Sequence, residues 1–267
     1  MGRMDSTDDR LRPQMFEDGN RVKFVKAVDQ DGRDWWVKRF YEPLELTPEG
    51  MGDLITKSAG GDKLIKYEFI DGIGETFRLK VEGGQSGDGE MWFVERTFEL
   101  QGNFFNADEM FISEKIRGQG IGRKLMGDLI DASRYLKVDR IKMHAQDIGR
   151  YAWLKLGFRP DAGSWRDIRK DLISAVFYFE DVIGKENALK IMNVISKGRP
   201  ETANIIASLS NPVPSRVLRD EFMQPLLVPL GKALFLEWSG DWIGEFVLSD
   251  PEANRIANDY LKGDNGG

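Results

Sequence analysis

The chain contains no cysteine and a single histidine, His144. The first absence excludes disulfides, cysteine-ligated zinc and a thiol nucleophile. The second excludes a histidine-rich metal site and leaves little room for a Ser-His-Asp hydrolase, and no G-x-S-x-G elbow occurs. Absence of cysteine fits a reducing compartment, so a cytoplasmic location is expected. Long apolar runs are also missing: none approaches the ~18 residues of a membrane span, and the opening "MGRMDSTDDRLRP" has no apolar core. A basic excess is lacking as well. Acidic residues outnumber Lys and Arg by 44 to 38, a formal charge of −6. A free-standing nucleic-acid binder needs a basic face to gain counterion-release affinity, so no direct nucleic-acid binding, no membrane and no metal are expected.

What is present is an ordinary globular composition, 41% hydrophobic and 31% charged over 267 residues, enough chain for one large domain or two small ones. Residues 1–19 read as a polar tail. Val22 and Phe24 open a strand-like pattern, "DQDG" reads as a turn, and "RDWWVKRF" returns as a strand. Trp35 and Trp36 would then be half-buried core or a substrate wall. "LTPEGMGDLITKSA" predicts a short helix capped by Thr47 with Pro48 at its first position. Three strands follow in "KLIKYEFID", "ETFRLKVEG" and "EMWFVERTFEL", with Gly83–Gly89 as a hairpin loop. A further strand at 108–114 carries Met110 and Ile112 on one face and Phe111 on the other.

The most informative wording is "RGQGIGRKLM", Arg117 to Met126. After it Ile121, Leu125, Leu129, Ala132 and Leu136 recur at helical spacing. "DRIKMHA" then reads as a strand and "DIGRYAWLKLGF" as a helix ended by Gly157. The order strand, glycine loop, helix, strand, helix marks an α/β unit. A strand entering a glycine turn at a helix N-terminus gathers unpaired backbone N–H groups and the positive end of the helix dipole, a place that binds phosphate or pyrophosphate. The dinucleotide fingerprint fits Gly118 and Gly120 but meets Arg123 at its third glycine. The P-loop pattern fails at Leu125. The pattern R/Q-x-x-G-x-G/A fits unchanged at Arg117, Gly120 and Gly122. A turn that binds nothing would need one glycine, not three.

With that loop, "EMFISEKIRGQGIGRKLMGDLIDASRYLKVDRIKMHA" and "WLKLGFRP" resemble the GCN5-related N-acetyltransferase (GNAT) superfamily over residues 108–158. The resemblance implies an α/β (α+β) fold with a mixed, mostly antiparallel central sheet flanked by helices, occupying 20–164. It implies acetyl-CoA, or another acyl-CoA, as co-substrate and an amine-bearing small molecule or protein as acceptor. It assigns the diphosphate to the amides of Gln119, Gly120, Ile121, Gly122 and Arg123, preceded by Gly118, with Arg117 opening the loop and Arg123 or Lys124 adding charge. Ile112 would pair with the pantetheine like an added strand.

The chain departs from the family pattern where the acid that protonates the leaving thiolate is usually a tyrosine: Trp153 stands there, and an indole N–H is no general acid near neutral pH. Tyr151 lies two residues away, Gln146 replaces the usual asparagine, and Gly149 the usual alanine. Glu109, Glu114 and His144 are the available bases, each also readable, and more often read, as a solvated polar residue.

Residues 165–262 read as a mainly helical extension or insertion. Ile168, Leu172, Val176, Phe179 and Ile183 share a face, and "SRVLRDEFMQPLL" continues in helical style. A strand is expected near 242–249, a last helix at Pro251, and a tail at 263–267. The aromatic stretch "LFLEWSGDWIGEFVLSD" either completes the sheet or forms a contact surface for a protein partner or self-assembly. The alternative to an enzyme is therefore a GNAT-fold structural or interaction module with weak or lost catalysis, for example in a phage particle or other assembly, with the virion as its location.

Overall fold

The computed structural model describes residues 13–70, 76–84 and 91–263. The chain divides into two compact units, residues 1–141 and 142–267, with the division inside one strand. The hairpin loop expected at Gly83–Gly89 lies, beyond Gly84, outside the described residues, as do residues 1–12 and 264–267 of the two tails. Pro13–Phe16 is a 3-10 turn whose Phe16 is buried edge-on against Trp36.

In the first unit, strands β1 (Val22–Phe24), β2 (Asp62–Ile70), β3 (Thr76–Gly84), β4 (Trp92–Glu99) and β5 (Phe104–Ile112) lie side by side in chain order. β1 is parallel to β2 and the remaining pairs are antiparallel. The α/β class and the mostly antiparallel sheet expected from the sequence are both present. Period-two alternation explains the strands: in β3, Phe77, Leu79 and Val81 are buried, while Arg78, Lys80 and Glu82 lie on the opposite face.

The return strand expected at "RDWWVKRF" is a helix. Helix α1 (Gln30–Trp36) runs through a π-helical turn (Val37–Tyr41) into α2 (Glu42–Leu44). Asp29 does not turn a hairpin. Its carboxylate caps α1, accepting from the Gly32 amide at 2.8 Å. Trp36 and Phe40 then share a helical face, packed against Phe77 with ring centroids 5.7 and 6.0 Å away. Trp36 is thus fully buried core on a helix, and its indole N–H donates to the Leu46 carbonyl. Helix α3 (Pro48–Leu54) forms as expected, with the Thr47 hydroxyl accepting from the Gly50 amide. Helix α4 (Ile121–Tyr135) is tied to the segment after α3 by Asp128, which accepts from both the amide and the hydroxyl of Ser58.

In the second unit, β6 (Arg140–Ala145, which begins in the first unit), β10 (Trp242–Val247) and β7 (Arg159–Pro160) are neighbours in that order. The helices are α5 (Gly149–Lys155), α6 (Ala162–Tyr178), α7 (Glu180–Ile183), α8 (Lys185–Lys197), α9 (Thr202–Ala207), α10 (Leu230–Ala233) and α11 (Pro251–Lys262). The apolar face expected from Ile168 to Ile183 is buried. Within the aromatic stretch, Trp242 and Phe246 are buried in β10, beside β7.

The helical reading of "SRVLRDEFMQPLL" is overturned. The segment belongs to a hairpin, β8 (Pro212–Arg219) and β9 (Pro225–Pro229). Pro212, Pro214, Pro225 and Pro229 lack N–H donors and resist a helix interior. Asp220 closes the turn by accepting from the amides of Phe222 and Gln224. No helix among the described residues is long and apolar enough to cross a membrane.

Asp250 caps α11 and supplies one pH dependence. Burial of its carboxyl opposes ionisation, but the Ala253 amide, then Arg159 and the Glu252 amide outweigh it, so it titrates below the ordinary value. A folded-state value below the unfolded one means stability that is full above the unfolded carboxylate range and lost as pH falls through the folded value. Asp250→Asn is therefore expected to flatten the acid limb of the stability curve below about pH 4, measured by urea unfolding at a series of pH values.

Candidate functional site

The loop between β5 and α4 lies wholly in the first unit. After Ile112 the chain is fixed by the Ser113 amide donating to the Met91 carbonyl, then makes a single 3-10 turn over Glu114–Ile116. Arg117 reaches back, its Nε donating to the Ile112 carbonyl at 3.1 Å. Arg117 also pairs with Glu114 at 3.7 Å, both side chains being mostly exposed, a contact of little energetic weight.

Each of the three glycines has its own reason. Gly118 and Gly120 have φ of +81° and +74°, a left-handed conformation that side chains disfavour. A Cβ at either position would meet nothing within 4 Å, so the surface above them is open. Gly122 is different. It is helical, and a Cβ there would come within 3.0 Å of Ile112 Cδ1 and 3.7 Å of Met110 Cε. Its lack of a side chain lets the first turn of α4 approach β5. Gly120 is the N-cap of α4 without a side-chain cap, and the first intrahelical bond runs from the Lys124 amide to the Gly120 carbonyl. The amides of Gly118, Gln119, Gly120, Ile121 and Gly122 donate to no other described group. Here is a helix N-terminus of fifteen residues with its donors uncommitted and its surface clear.

β5 brings a second feature. Its register with β4 slips by one, so that Glu95 faces Glu109 but Arg96 faces Ala107, and Asp108 is the extra residue of a β-bulge. The bulge moves Met110 and Ile112 onto the same face as Phe105 and Ala107. Arg96 lies opposite this point and is 1% exposed. Its Nη1 donates to the carbonyls of Glu95 and Glu109, both at 2.8 Å. Burial draws its guanidinium down to about 10, against the attraction of Asp108 and then Glu95. Asp108 is itself raised by desolvation, opposed by a hydrogen bond with Thr97. Neither residue was expected at the site. The signal was available: Trp92, Val94, Arg96 and Phe98 occupy the buried phase of β4, and a charge in that phase is unusual.

Of the residues singled out in the sequence, the first unit holds Glu109, Ile112, Glu114 and Arg117–Lys124. Glu109 lies on β5 beside the bulge and is exposed; Glu114 is exposed at the loop entrance. His144, Tyr151 and Trp153 belong to the second unit. His144 is exposed on β6 between buried Met143 and Ala145. The Tyr151 phenol is raised by desolvation and then by Tyr260, so it holds its proton more firmly than an exposed tyrosine.

Trp153 packs edge-on against Phe158, centroids 4.7 Å apart. A Cβ on Gly149 would stand 2.8 Å from its Nε1. The glycine at 149 and the tryptophan at 153 are therefore one packing event: the indole fills the place a side chain at 149 would take. Gly149→Ala alone is expected to cost on the order of 1–2 kcal/mol through overpacking. Combined with Trp153→Tyr, the cost should largely vanish, and a double-mutant cycle in urea measures that non-additivity. Independent losses that simply add would contradict the coupling.

Residues 98–170 match the family model described as an acetyltransferase (GNAT) domain. Among solved structures, nourseothricin acetyltransferase is similar over 35% of this chain and 55% of its own, at 16% identity and a TM-score of 0.28. The chain thus spans about half the length of that protein. No curated protein matches it.

Proposed function

We propose that this chain, carrying a GNAT acetyltransferase domain at residues 98–170, is an acyl-CoA-dependent N-acyltransferase that transfers acetyl from acetyl-CoA directly to an amine. The observation that carries the reading is the run of uncommitted amides from Gly118 to Gly122 at the open head of α4. They are donors for a diphosphate, joined by the amide of Arg123 and by the charge of Arg117, Arg123 and Lys124. Ile112, at the end of β5, pairs with the pantetheine arm by strand addition.

Transfer requires a neutral amine, because an alkyl ammonium with a pKa near ~10.4 has no lone pair to attack the thioester. The amine nitrogen bonds to the acyl carbon, the carbonyl oxygen becomes a tetrahedral oxyanion, and CoA thiolate departs as the carbonyl re-forms. Backbone N–H groups of β5 stabilise that oxyanion. The proton released by the amine goes to Glu109 or Glu114 through water. His144 is the alternative base, by the titration range of an imidazole; Tyr151 is the candidate proton donor to the thiolate and Trp153 a candidate cofactor contact, by their places in the GNAT-like segment. The chain's acidic balance favours a cationic acceptor.

The test is a thermal shift followed by turnover. Acetyl-CoA at ~100 times its dissociation constant should add about 2.7 kcal/mol of stability, and free CoA should be released faster when a polyamine, an aminoglycoside or a peptide amine is added. No shift at millimolar acetyl-CoA would overturn the reading.

A second reading is favoured by one observation. The β8–β9 hairpin exposes Val217, Phe222, Met223 and Leu227, at 64–74% each. Such a surface suits an interaction module that meets a protein partner or another copy. Sedimentation of the full chain decides it: a concentration-dependent mass abolished by Phe222→Ser/Leu227→Ser supports self-association, and a monomer at all concentrations opposes it.

A further inference from the structure

Arg96 is unusual as a buried guanidinium bonded to carbonyls rather than to a carboxylate. A buried cation without a direct counter-ion costs several kcal/mol, so its retention calls for a reason. Its position supplies one. The two carbonyls it grips, those of Glu95 and Glu109, belong to the paired rung that adjoins the register slip at Asp108, one on each strand. A bulge leaves one residue out of the ladder and weakens the local pairing. Two bonds from the one nitrogen Nη1 tie the strands together where the ladder is disrupted. Nη2, the other terminal nitrogen, is buried without a hydrogen-bond partner among the described residues, so the guanidinium is anchored through Nη1. Downstream of this clamp come Met110 and Ile112, which pack under Gly122 at the head of α4.

We propose that Arg96 is a positioning residue for acyl transfer: its guanidinium locks the β5 bulge and so fixes the direction in which the amides of residues 109–112 face the acyl group. The inference rests on the acyl-transfer reading and goes beyond it to a residue outside the loop. It separates two functions along β5. The diphosphate is held by the loop, and the thioester is aimed by the bulge. Loss of Arg96 should damage turnover and leave acyl-CoA affinity nearly intact.

The test uses the full chain with Arg96→Met and Arg96→Lys. Methionine removes the cation but keeps an apolar stem, a replacement that is often neutral or stabilising in a core. Three readouts are taken: thermal midpoint, amide hydrogen exchange of residues 107–112, and release of CoA from acetyl-CoA with water or an added polyamine. For Arg96→Met, exchange at 107–112 should rise about tenfold or more, with the flanking β3 amides unchanged. The kcat should fall about 100-fold, the scale of loss when reacting groups are misplaced by an ångström, with KM for acetyl-CoA within about threefold of wild type. Arg96→Lys, able to donate to both carbonyls, should recover at least part of the exchange protection and of kcat. A merely structural residue would instead lower the midpoint and affect kcat and KM together.

Wild-type exchange at 107–112 in the Met variant, or wild-type kcat, overturns the proposal. Should the Met variant fail to fold, Arg96→Lys decides alone: an unchanged exchange pattern with reduced kcat overturns the clamp, and loosened amides at 107–112 with a preserved midpoint support it. Failure of the wild-type chain to bind acetyl-CoA sinks the acyl-transfer reading and Arg96's consequence for turnover with it. Unchanged exchange sinks the Arg96 proposal alone.

Discussion

Gly120→Asp is expected to raise the dissociation constant for acetyl-CoA by 100-fold or more while leaving the fold in place. Gly120 adopts φ of +74°, a conformation that aspartate tolerates better than most residues. A Cβ there meets no neighbour within 4 Å, so the substitution brings no steric conflict inside the protein. What it adds is a carboxylate where the diphosphate would sit. Two like charges about 4 Å apart repel by roughly 4 kcal/mol at the effective dielectric of a protein surface. Screening reduces that figure, yet a 100-fold loss needs only about 2.8 kcal/mol. Calorimetric titration of the two proteins measures the ratio directly. Equal affinities would show that the ligand does not meet this loop.

Gly157→Ala is expected to destabilise the second unit strongly, costing roughly 2–5 kcal/mol. Gly157 has φ of +84° at the end of α5. A Cβ would also stand 2.5 Å from the Ala253 carbonyl oxygen on α11. The left-handed conformation costs a non-glycine residue about 1–2 kcal/mol, and forcing backbone apart adds about 1–3 kcal/mol. Neither contribution can relax easily. The turn is held by Asn204, whose Nδ2 donates to the carbonyls of Leu154 and Phe158. α11 is anchored by the Arg159–Asp250 pair, 2.5 Å apart. Urea unfolding gives the figure. A loss below about 0.5 kcal/mol, the size of an ordinary surface substitution, would mean that α11 yields freely.

The strands β2, β3 and β4 and the helices α3, α4 and α6 were legible because one local rule governs each. Thr47 and Pro48 cap α3, and the apolar spacing from Ile121 to Leu136 has the helical period. The loop's place at the head of α4 was legible because Gly118 and Gly120 supply left-handed backbone just before an amphipathic run. The misread segments are those where two local rules compete. "DQDG" before two tryptophans fits a hairpin turn as well as a capped helix. The choice falls to Trp36, whose burial against Phe77 is a contact distant in sequence. In "SRVLRDEFMQPLL" the apolar spacing resembles a helix, but the flanking prolines decide for a hairpin.

The bulge was half legible. Phe105 and Ala107 occupy one phase and Met110 and Ile112 the other, a one-residue shift that strict alternation would forbid. The pairing of Gly149 with Trp153 was not legible, because four residues on a short helix say nothing of where an indole will lie. Read singly, each looks like a lost functional residue. Seen together, they are a glycine making room for an indole.

The central claim is that the amides between Gly118 and Gly122 bind the diphosphate of an acyl-CoA. It is tested most directly by following the backbone amide resonances of the isotopically labelled chain during titration with acetyl-CoA, beside S-acetylpantetheine, which lacks the diphosphate. The account predicts that the amides of Gly118, Gln119, Gly120, Ile121 and Gly122 move downfield together, saturating at one concentration of acetyl-CoA, and scarcely respond to the truncated thioester. Amides that stay in place while acetyl-CoA binds elsewhere, or that respond equally to both compounds, would contradict it.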